Sequence, residues 1–344
     1  MLACAGCGFA WNAAFDSSLN LYDPAYDNDQ TQSQCFRIHN AAMVHKILKN
    51  LPQNHALHLL DVGCGQGDFL TQLAQSSRNR FASLTGFDPA WRGNTTNFVQ
   101  IHNRYFDATR ASNLPNPIDA VVSRHTIEHV PDPLLFLRDI RTCMSPNPDA
   151  RLFLETPDIE WILQNFQFQD LFYEHCSLFS KHAIEHALLA TGFEPLCIER
   201  VFGEQYLWVE ARPATPTNLS KDLGTTNNFL SRAKKFREHR QTILANWQDL
   251  IHAEAKDIWL WGASSKGVTF ALSVDPDGAT LKGAIDINTK KSGNFMPMTG
   301  LPIVTPHALK NGTAIIIMNP NYRPEIELQL EEMGITVEIM TGNI

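Results

Sequence analysis

The stretch "ALHLLDVGCGQGDFLTQLAQ", residues 56–75, decides the fold. It reads as a buried apolar strand, a turn holding Gly63, Gly65 and Gly67, and a helix. Glycines at that position let the backbone approach a ligand closely at the mouth of a parallel sheet, where ligands of this architecture bind. The pattern from Asp61 is Asp-x-Gly-x-Gly-x-Gly. A dinucleotide fingerprint is Gly-x-Gly-x-x-Gly, whose extra residue lets a helix N-terminus meet a pyrophosphate. Here the third glycine comes one residue too early. Asp88, in "LTGFDPA", ends the next strand about twenty residues on, where an acid binds ribose hydroxyls. Asp107, in "NRYFDA", follows the third strand.

Working outward, "IHNAAMVHKILKNL" sets Ala41, Val44, Ile47, Leu48 and Leu51 at helical spacing. "SLTGFDPA", "NFVQIH", "IDAVVSRH" and "ARLFLETPD" are short apolar strands. Between the last two, Asp132 is a helix N-cap with Pro133 at the first helical position. "SKHAIEHALLATGF" is a further helix, capped by Ser180 and stopped by Gly192. Strands alternating with helices predict an α/β fold with a parallel, doubly wound, Rossmann-like sheet.

A Pro/Thr/Asn-rich break, "ARPATPTNLSKDLGTT", marks a linker over 211–226. The helix expected over roughly 227–254 carries Phe229, Ala233, Phe236, Ile243, Trp247 and Leu250 on one stripe. Then "DIWLWGASSKGVTFAL", "LKGAIDIN", "GTAIIIMNP" and "GITVEIM" supply four more strands of a second, smaller C-terminal α/β domain. The division is therefore an irregular segment over 1–36, a ligand-binding core over 37–212, a linker with an amphipathic helix over 213–255, and a Rossmann-like domain over 256–344.

The bulk properties narrow the function. At 344 residues, 44% hydrophobic and 19% charged, the chain has material for two cores. A net charge of −8 disfavours a nucleic-acid partner, which needs phosphate neutralisation. No apolar run approaches the roughly 20 residues of a membrane span, and "MLACAGCGFAWNAAF" has no signal-peptide pattern, so the expected location is the cytoplasm. Of seven cysteines only Cys4 and Cys7 form a CxxC pair, half of a zinc site, because structural zinc takes four ligands. Unmetallated thiols are the simpler expectation for that pair.

The spacing of Gly63, Gly65, Gly67, Asp88 and Asp107 resembles that of the class I S-adenosylmethionine (SAM)-dependent methyltransferases. The resemblance implies that the glycines lie under the methionine part of SAM, Asp88 holds the ribose and Asp107 faces the adenine. Arg124 and His125 leave the fourth strand in "SRHTIEHVPDP" at the sheet's carboxyl edge, near where a SAM methyl would point. Glu128 and His129 open the next turn, and their expected role is structural.

Over nearly its whole length the chain looks like the sugar C-methyltransferases, which have a cysteine-rich zinc module, a SAM-binding core and a C-terminal α/β domain. "CAGCGF" and "YDPAYDNDQTQSQCFRIH" match the end of that module and the loop folding over SAM. "WGASSKGVTF" and "DINTKKSGNFMPMTGLPI" match the family's glycine turn and Asp-x-Asn stretch in the C-terminal domain. "FQDLFYEHCSLFS", residues 168–180, holds the family's Glu-His run.

Methylating carbon requires a carbanion equivalent, made by removing a proton beside a carbonyl. A base titrating near neutrality suits that task, and His175 is the candidate. Glu174 would fix its surroundings or bind a substrate hydroxyl, and Tyr173 would donate to the developing enolate oxygen. The competing structural reading makes Glu174 and His175 a pair pinning a loop to the core. In the second domain Lys266 is placed to meet a phosphate, with Asp286 and Asn288 as further substrate contacts.

Three departures from the family stand out. Phe172-Tyr173-Glu174-His175 replaces Tyr-His-Glu-His, "FGEQYLWVEA" keeps only Gly203 where the family has consecutive glycines, and the first cysteine pair is missing. The expected activity is SAM-dependent C-methylation of a nucleotide-linked deoxy-keto sugar. The alternatives are O- or N-methylation of another metabolite, an NAD-dependent oxidoreductase, and a non-catalytic SAM- or sugar-nucleotide-binding module.

Overall fold

The computed structural model describes residues 1–19, 30–93, 98–107, 109, 114, 117–145, 147–216 and 227–340. Two compact units emerge. The first comprises Met1–Asp27, His39–Glu160 and Tyr173–Leu230, and the second Asn28–Ile38, Trp161–Phe172 and Ser231–Ile344. The expected linker falls largely on 217–226, and the first part of the expected loop over SAM on 22–29, both outside the described residues.

In the first unit, β1 (Leu2–Ala3) and β2 (Ala10–Trp11) form a hairpin around the Cys4–Cys7 turn. Helix α1 (Gln34–Asn50) buries Val44 and Ile47 of the anticipated stripe. Then come β3 (Leu57–Val62), α2 (Asp68–Ser77), β4 (Phe81–Phe87), β5 (Val99–His102), β6 (Ala120–Arg124), α3 (Pro133–Cys143) and β7 (Arg151–Pro157), after which α4 (Ile159–Gln164) begins in this unit and passes into the second at Trp161. Strand β8 (Ser177–Leu178) pairs with β2, and α5 (Lys181–Ala190) leads to β9 (Phe193–Val201) and β10 (Tyr206–Pro213). The main sheet has the order β5-β4-β3-β6-β7-β10-β9. It is parallel as far as β7, after which β10 runs antiparallel to both neighbours. That closing hairpin departs from an all-parallel sheet. Its turn forces positive φ at Phe202, Gly203 and Glu204.

Strand periodicity distributes the core. Leu60, Val62, Val121, Leu152 and Val209 pack together, while Leu57, Leu59, Val122, Phe153 and Trp208 belong to a second cluster, the alternation expected of a sheet covered on both faces. The caps read from sequence are present: Asp132 accepts from the Leu135 amide at 2.9 Å, and Ser180 from the Ala183 amide at 3.0 Å. Gly192, at φ 84°, follows α5.

The second unit is built on β11 (Ile258–Trp261), β12 (Gly283–Ile285), β13 (Ile303–Val304), β14 (Ala314–Ile317) and β15 (Glu338–Met340), all parallel in the order β13-β12-β11-β14-β15. The two-residue β13 escaped the sequence reading because it is too short to show a period. Helix α6 (Asn227–Ala253) precedes the sheet, and it buries Phe236 and Trp247 of the predicted stripe. Helices α7 (Ser265–Val274) and α8 (Arg323–Glu332) connect strands, with Ile285, Ile315, Ile317, Ile326 and Leu330 in one core. None of the described helices is long and apolar enough to cross a membrane.

Candidate active site

The order of the main sheet reverses at β3, so its switch point lies between the carboxyl ends of β3 and β6. The turn after β3 has φ of 79°, 56° and 86° at Gly63, Gly65 and Gly67. A Cβ at Gly63 would lie 2.0 Å from Thr126 Oγ1, and one at Gly67 would lie 2.3 Å from Ile101 Cδ1. Thr126 crowds Gly63 with its whole side chain, whereas the end of Ile101 can turn aside, so Gly67 is required mainly by its φ. A Cβ at Gly65 would meet nothing within 4 Å, so that face of the turn is open.

Asp88 closes the other side. Its Oδ2 accepts from the Gly65 amide at 2.8 Å and its Oδ1 from the Ala90 amide at 2.7 Å. Each carboxylate oxygen keeps a lone pair for a hydroxyl. Glycine turn and ribose-type acid are thus joined by a hydrogen bond, and an open glycine face beside a carboxylate fits SAM. Asp107 is half-buried and accepts from Thr109 Oγ1 at 2.5 Å, next to residues 110–113, which are not described. Asp61 is buried beneath the turn, and burial pushes its carboxyl up to about 7 against the pull of Arg124.

At the ends of β6 and β7 a charged cluster surrounds Glu155, which is fully buried. His125 Nε2 lies 2.7 Å from Glu155 Oε1, Arg124 Nη2 3.1 Å, and His39 Nε2 3.1 Å. Arg124 also donates to Asn40 Oδ1 at 2.9 Å and stands over the Phe69 ring at 4.3 Å. Burial opposes the Glu155 charge, but Arg124, His125 and His39 outweigh it and hold the carboxyl well below the usual range. Burial likewise opposes charge on His125, yet contacts with Glu128 and Glu155 carry the imidazole up to about 9. His125 is therefore an imidazolium at neutral pH. It has φ 52°, and Tyr206 meets its ring edge-on at 4.6 Å.

The Glu-His run adjoins this cluster through Glu128, whose Oε1 lies 3.6 Å from His125 Nδ1. His175 is 6% exposed, and its ring meets that of His129 edge-on with centroids 4.9 Å apart. The His129 Nδ1 lies 3.1 Å from the Glu174 carbonyl oxygen, which can only accept, so Nδ1 carries the hydrogen. Glu128, 1% exposed, accepts from Thr156 Oγ1 at 3.1 Å. Glu128, His129 and His175 each bring a donor atom within 4.8 Å of the others, the one such triple among the described residues. Tyr173 is committed locally: its hydroxyl accepts from the Asp16 amide at 2.8 Å and donates to the Ala14 carbonyl at 3.2 Å.

Glu128 and His129, expected to be structural, make local hydrogen bonds to Thr156 and to the Glu174 carbonyl, and both stand beside His175. The sequence reading did not single out His39, Asn40, Glu155 or Tyr206. A carboxylate ending the apolar run "RLFLE" was the available signal for Glu155. Cys4 and Cys7 supply two thiols, and no third histidine, cysteine or carboxylate joins them among the described residues. A four-ligand zinc site does not fit that pair alone.

In the second unit Lys266 Nζ lies 2.7 Å from Asp170 Oδ1. Asp286 accepts from the Ala263 amide at 3.1 Å and pairs with Lys291 at 3.2 Å, and the Asn288 amide donates to Asp286 Oδ1 at 2.9 Å. Asp286 ties the turn after β11 to the segment after β12, whereas Lys266 ties it to Asp170.

Residues 35–198 match the family model of a methyltransferase domain, and residues 217–336 that of a C-methyltransferase C-terminal domain. The C-methyltransferase NovU of Streptomyces niveus is 22% identical over 224 residues, 60% of this chain and 52% of NovU. The chain thus spans about half the length of that curated relative. Similar solved structures include a putative methyltransferase complex with the Trm112 activator of Haloferax volcanii, at 13% identity and a TM-score of 0.40, covering 55% of this chain and 100% of the other. Another is the mitomycin 7-O-methyltransferase MmcR, at 16% identity and a TM-score of 0.40, covering 52% and 53%. The chain thus carries a methyltransferase domain over residues 35–198, followed by a match to a C-methyltransferase C-terminal domain over 217–336, and resembles the class I SAM-dependent C-methyltransferases.

Proposed function

We propose that this enzyme methylates carbon, with a deoxy-keto sugar carried on a nucleotide as acceptor and His175 as the base. The observation that carries the reading is His175 itself, a buried imidazole beside His129 and Glu128 in the unit that holds the glycine turn. The match to a C-methyltransferase C-terminal domain supports carbon as the methylated atom. The sugar rests on the resemblance of "YEH" and the C-terminal turns to the sugar C-methyltransferases.

Gly63, Gly65, Gly67 and Asp88 would hold SAM, with Asp107 and Arg124 as outlying contacts. Bound SAM supplies an electrophilic methyl group. His175 removes a proton from the carbon beside the acceptor carbonyl, and the C–H electron pair passes into an enolate. The Glu174 carbonyl fixes the tautomer of His129, and His129 packs against the His175 ring and holds its orientation. Glu174 binds a substrate hydroxyl. Tyr173, whose hydroxyl already has two partners, anchors the run rather than meeting the enolate. His125 is charged at neutral pH and so acts as a fixed electrostatic element.

The test is deuterium wash-in at the acceptor carbon, run in heavy water with a panel of nucleotide-linked deoxy-keto sugars and with phenol and amine acceptors. Wash-in that His175→Ala slows by about 10²–10⁴-fold is the expected result. Methylation of a phenol or amine that survives His175→Ala would overturn both the base and the carbon acceptor.

A further inference from the structure

The second sheet winds outward in both directions from β11, so its switch point lies between the carboxyl ends of β11 and β14. Ligands of doubly wound sheets bind in the crevice at that point. The turn after β11 has the build of such a site. Gly262 leaves the strand at φ 119°, and a Cβ at Gly267 would lie 1.9 Å from the Gly262 carbonyl oxygen. Only glycine at 267 lets the first turn of α7 sit so close to the strand end. Lys266 stands in that first turn.

Residues of the same unit fill the crevice. Phe166, Gln167, Phe168 and Gln169 line one cavity together with Met318 and Pro320, which follow β14. Phe168 is 5% exposed and stacks on Phe270 of α7 with ring centroids 5.7 Å apart. Trp247 of α6 meets Phe270 edge-on at 5.0 Å. Asp170, also 5% exposed, gives its Oδ1 to Lys266 Nζ at 2.7 Å. A carboxylate is thereby paired with the lysine of a helix's first turn, the kind of place where a nucleotide phosphate binds in related folds.

The segment is also braced internally. The Asp170 amide donates to the Gln167 carbonyl at 3.1 Å, Gln169 Nε2 to Gln167 Oε1 at 2.7 Å, and Gln167 Nε2 to the Asn165 carbonyl at 2.9 Å. Phe166 takes φ 51°, a conformation that costs a bulky residue energy and persists only when its surroundings impose it. Its ring stacks on Phe236 of α6 at 6.1 Å.

We propose that residues 166–170 are the resident ligand of this crevice, so that the second domain takes no dinucleotide or nucleotide phosphate there. Its switch point serves instead to clamp the segment that runs on into Tyr173, Glu174 and His175. Lys266 and Asp170 are the positioning pair of that clamp. The proposal is independent of which acceptor the enzyme methylates.

The experiment uses the full chain in two measurements: amide hydrogen exchange over 161–172, and calorimetric titration with inorganic pyrophosphate. In the wild type, amides of 166–171 exchange as slowly as those of β11, and pyrophosphate gives no heat that depends on Lys266. Asp170→Ala, which vacates the lysine, speeds exchange at 166–171 at least tenfold and gains pyrophosphate binding. Lys266→Arg keeps the slow exchange, whereas Lys266→Ala loses it. Slow exchange of β11 and β14 in each variant shows that the domain has stayed folded. Should a variant unfold, the two wild-type measurements still decide. Free exchange of 166–171 in the wild type, or pyrophosphate binding that Lys266→Ala abolishes, overturns the proposal.

Discussion

Two doubly wound sheets stand in this chain, and each has a glycine turn at its switch point. They use that position in opposite ways. After β3 the turn presents an open face at Gly65, with Asp88 hydrogen-bonded beside it. After β11 the comparable place holds Phe168 and Asp170 of the chain itself, with Lys266 already paired. Topology therefore locates a crevice without saying what fills it, and the filling is decided by side chains. The charge logic differs too. At the first switch point a buried carboxylate, Glu155, gathers Arg124, His125 and His39. At the second, lysines and acids meet in separate pairs, Lys266 with Asp170 and Lys291 with Asp286.

Substitutions can break this contrast. The largest effect is expected at Glu155, since Glu155→Ala strands the buried groups it holds and should cost about 3–5 kcal/mol in denaturant unfolding. The milder Glu155→Gln should bring the His125 titration, followed by NMR, down from about 9. Because His125 is raised, its contribution to stability is whole below about pH 6.5 and fades as pH climbs through about 9. Loss of both effects would show that Glu155 does not organise the cluster.

Next comes Asp61, whose buried carboxyl titrates near 7 against 3.8 for the free side chain. The folded state keeps a proton that the unfolded state gives up, so stability falls as pH rises from about 4 to about 7. Asp61→Asn escapes that loss. Melting profiles should show it gaining about 2–4 kcal/mol over the wild type at pH 8 and nothing near pH 3.5. A gain independent of pH would contradict the assignment.

Lys266→Met leaves the Asp170 carboxylate buried without its cation. Urea unfolding should report a loss of about 1–3 kcal/mol, less than for Glu155 because only one pair is broken. The smallest effect on stability is expected at Gly65. Gly65→Ala adds a methyl that meets no atom but must hold φ 56°, which costs roughly 1 kcal/mol. Its affinity for S-adenosylhomocysteine should fall all the same, because the methyl occupies the open face. Equal affinity in Gly65→Ala and wild type would move the ligand away from that turn.

Local chemistry was legible in the sequence. The strand, glycine turn and helix of residues 56–75 follow from periodicity and backbone freedom, and the caps at Asp132 and Ser180 from hydrogen-bonding chemistry within one turn. Contacts made by distant stretches were not. His39 and Glu155 are 116 residues apart, and nothing in the pattern around either predicts their 3.1 Å contact. The β9–β10 hairpin hides because "FGEQ" lacks the usual two-residue turn signal. Trp161–Phe172 joins the second unit although no change of composition marks its ends. Its anchor, Asp170, looks like any surface acid until Lys266 is seen across from it.

One measurement tests the central contrast most directly: calorimetric titration of the full chain with S-adenosylhomocysteine, beside Asp88→Ala and Lys266→Ala. One binding site is expected, lost in Asp88→Ala and unchanged in Lys266→Ala. Binding that survives Asp88→Ala but disappears in Lys266→Ala would place the ligand at the second switch point and contradict it.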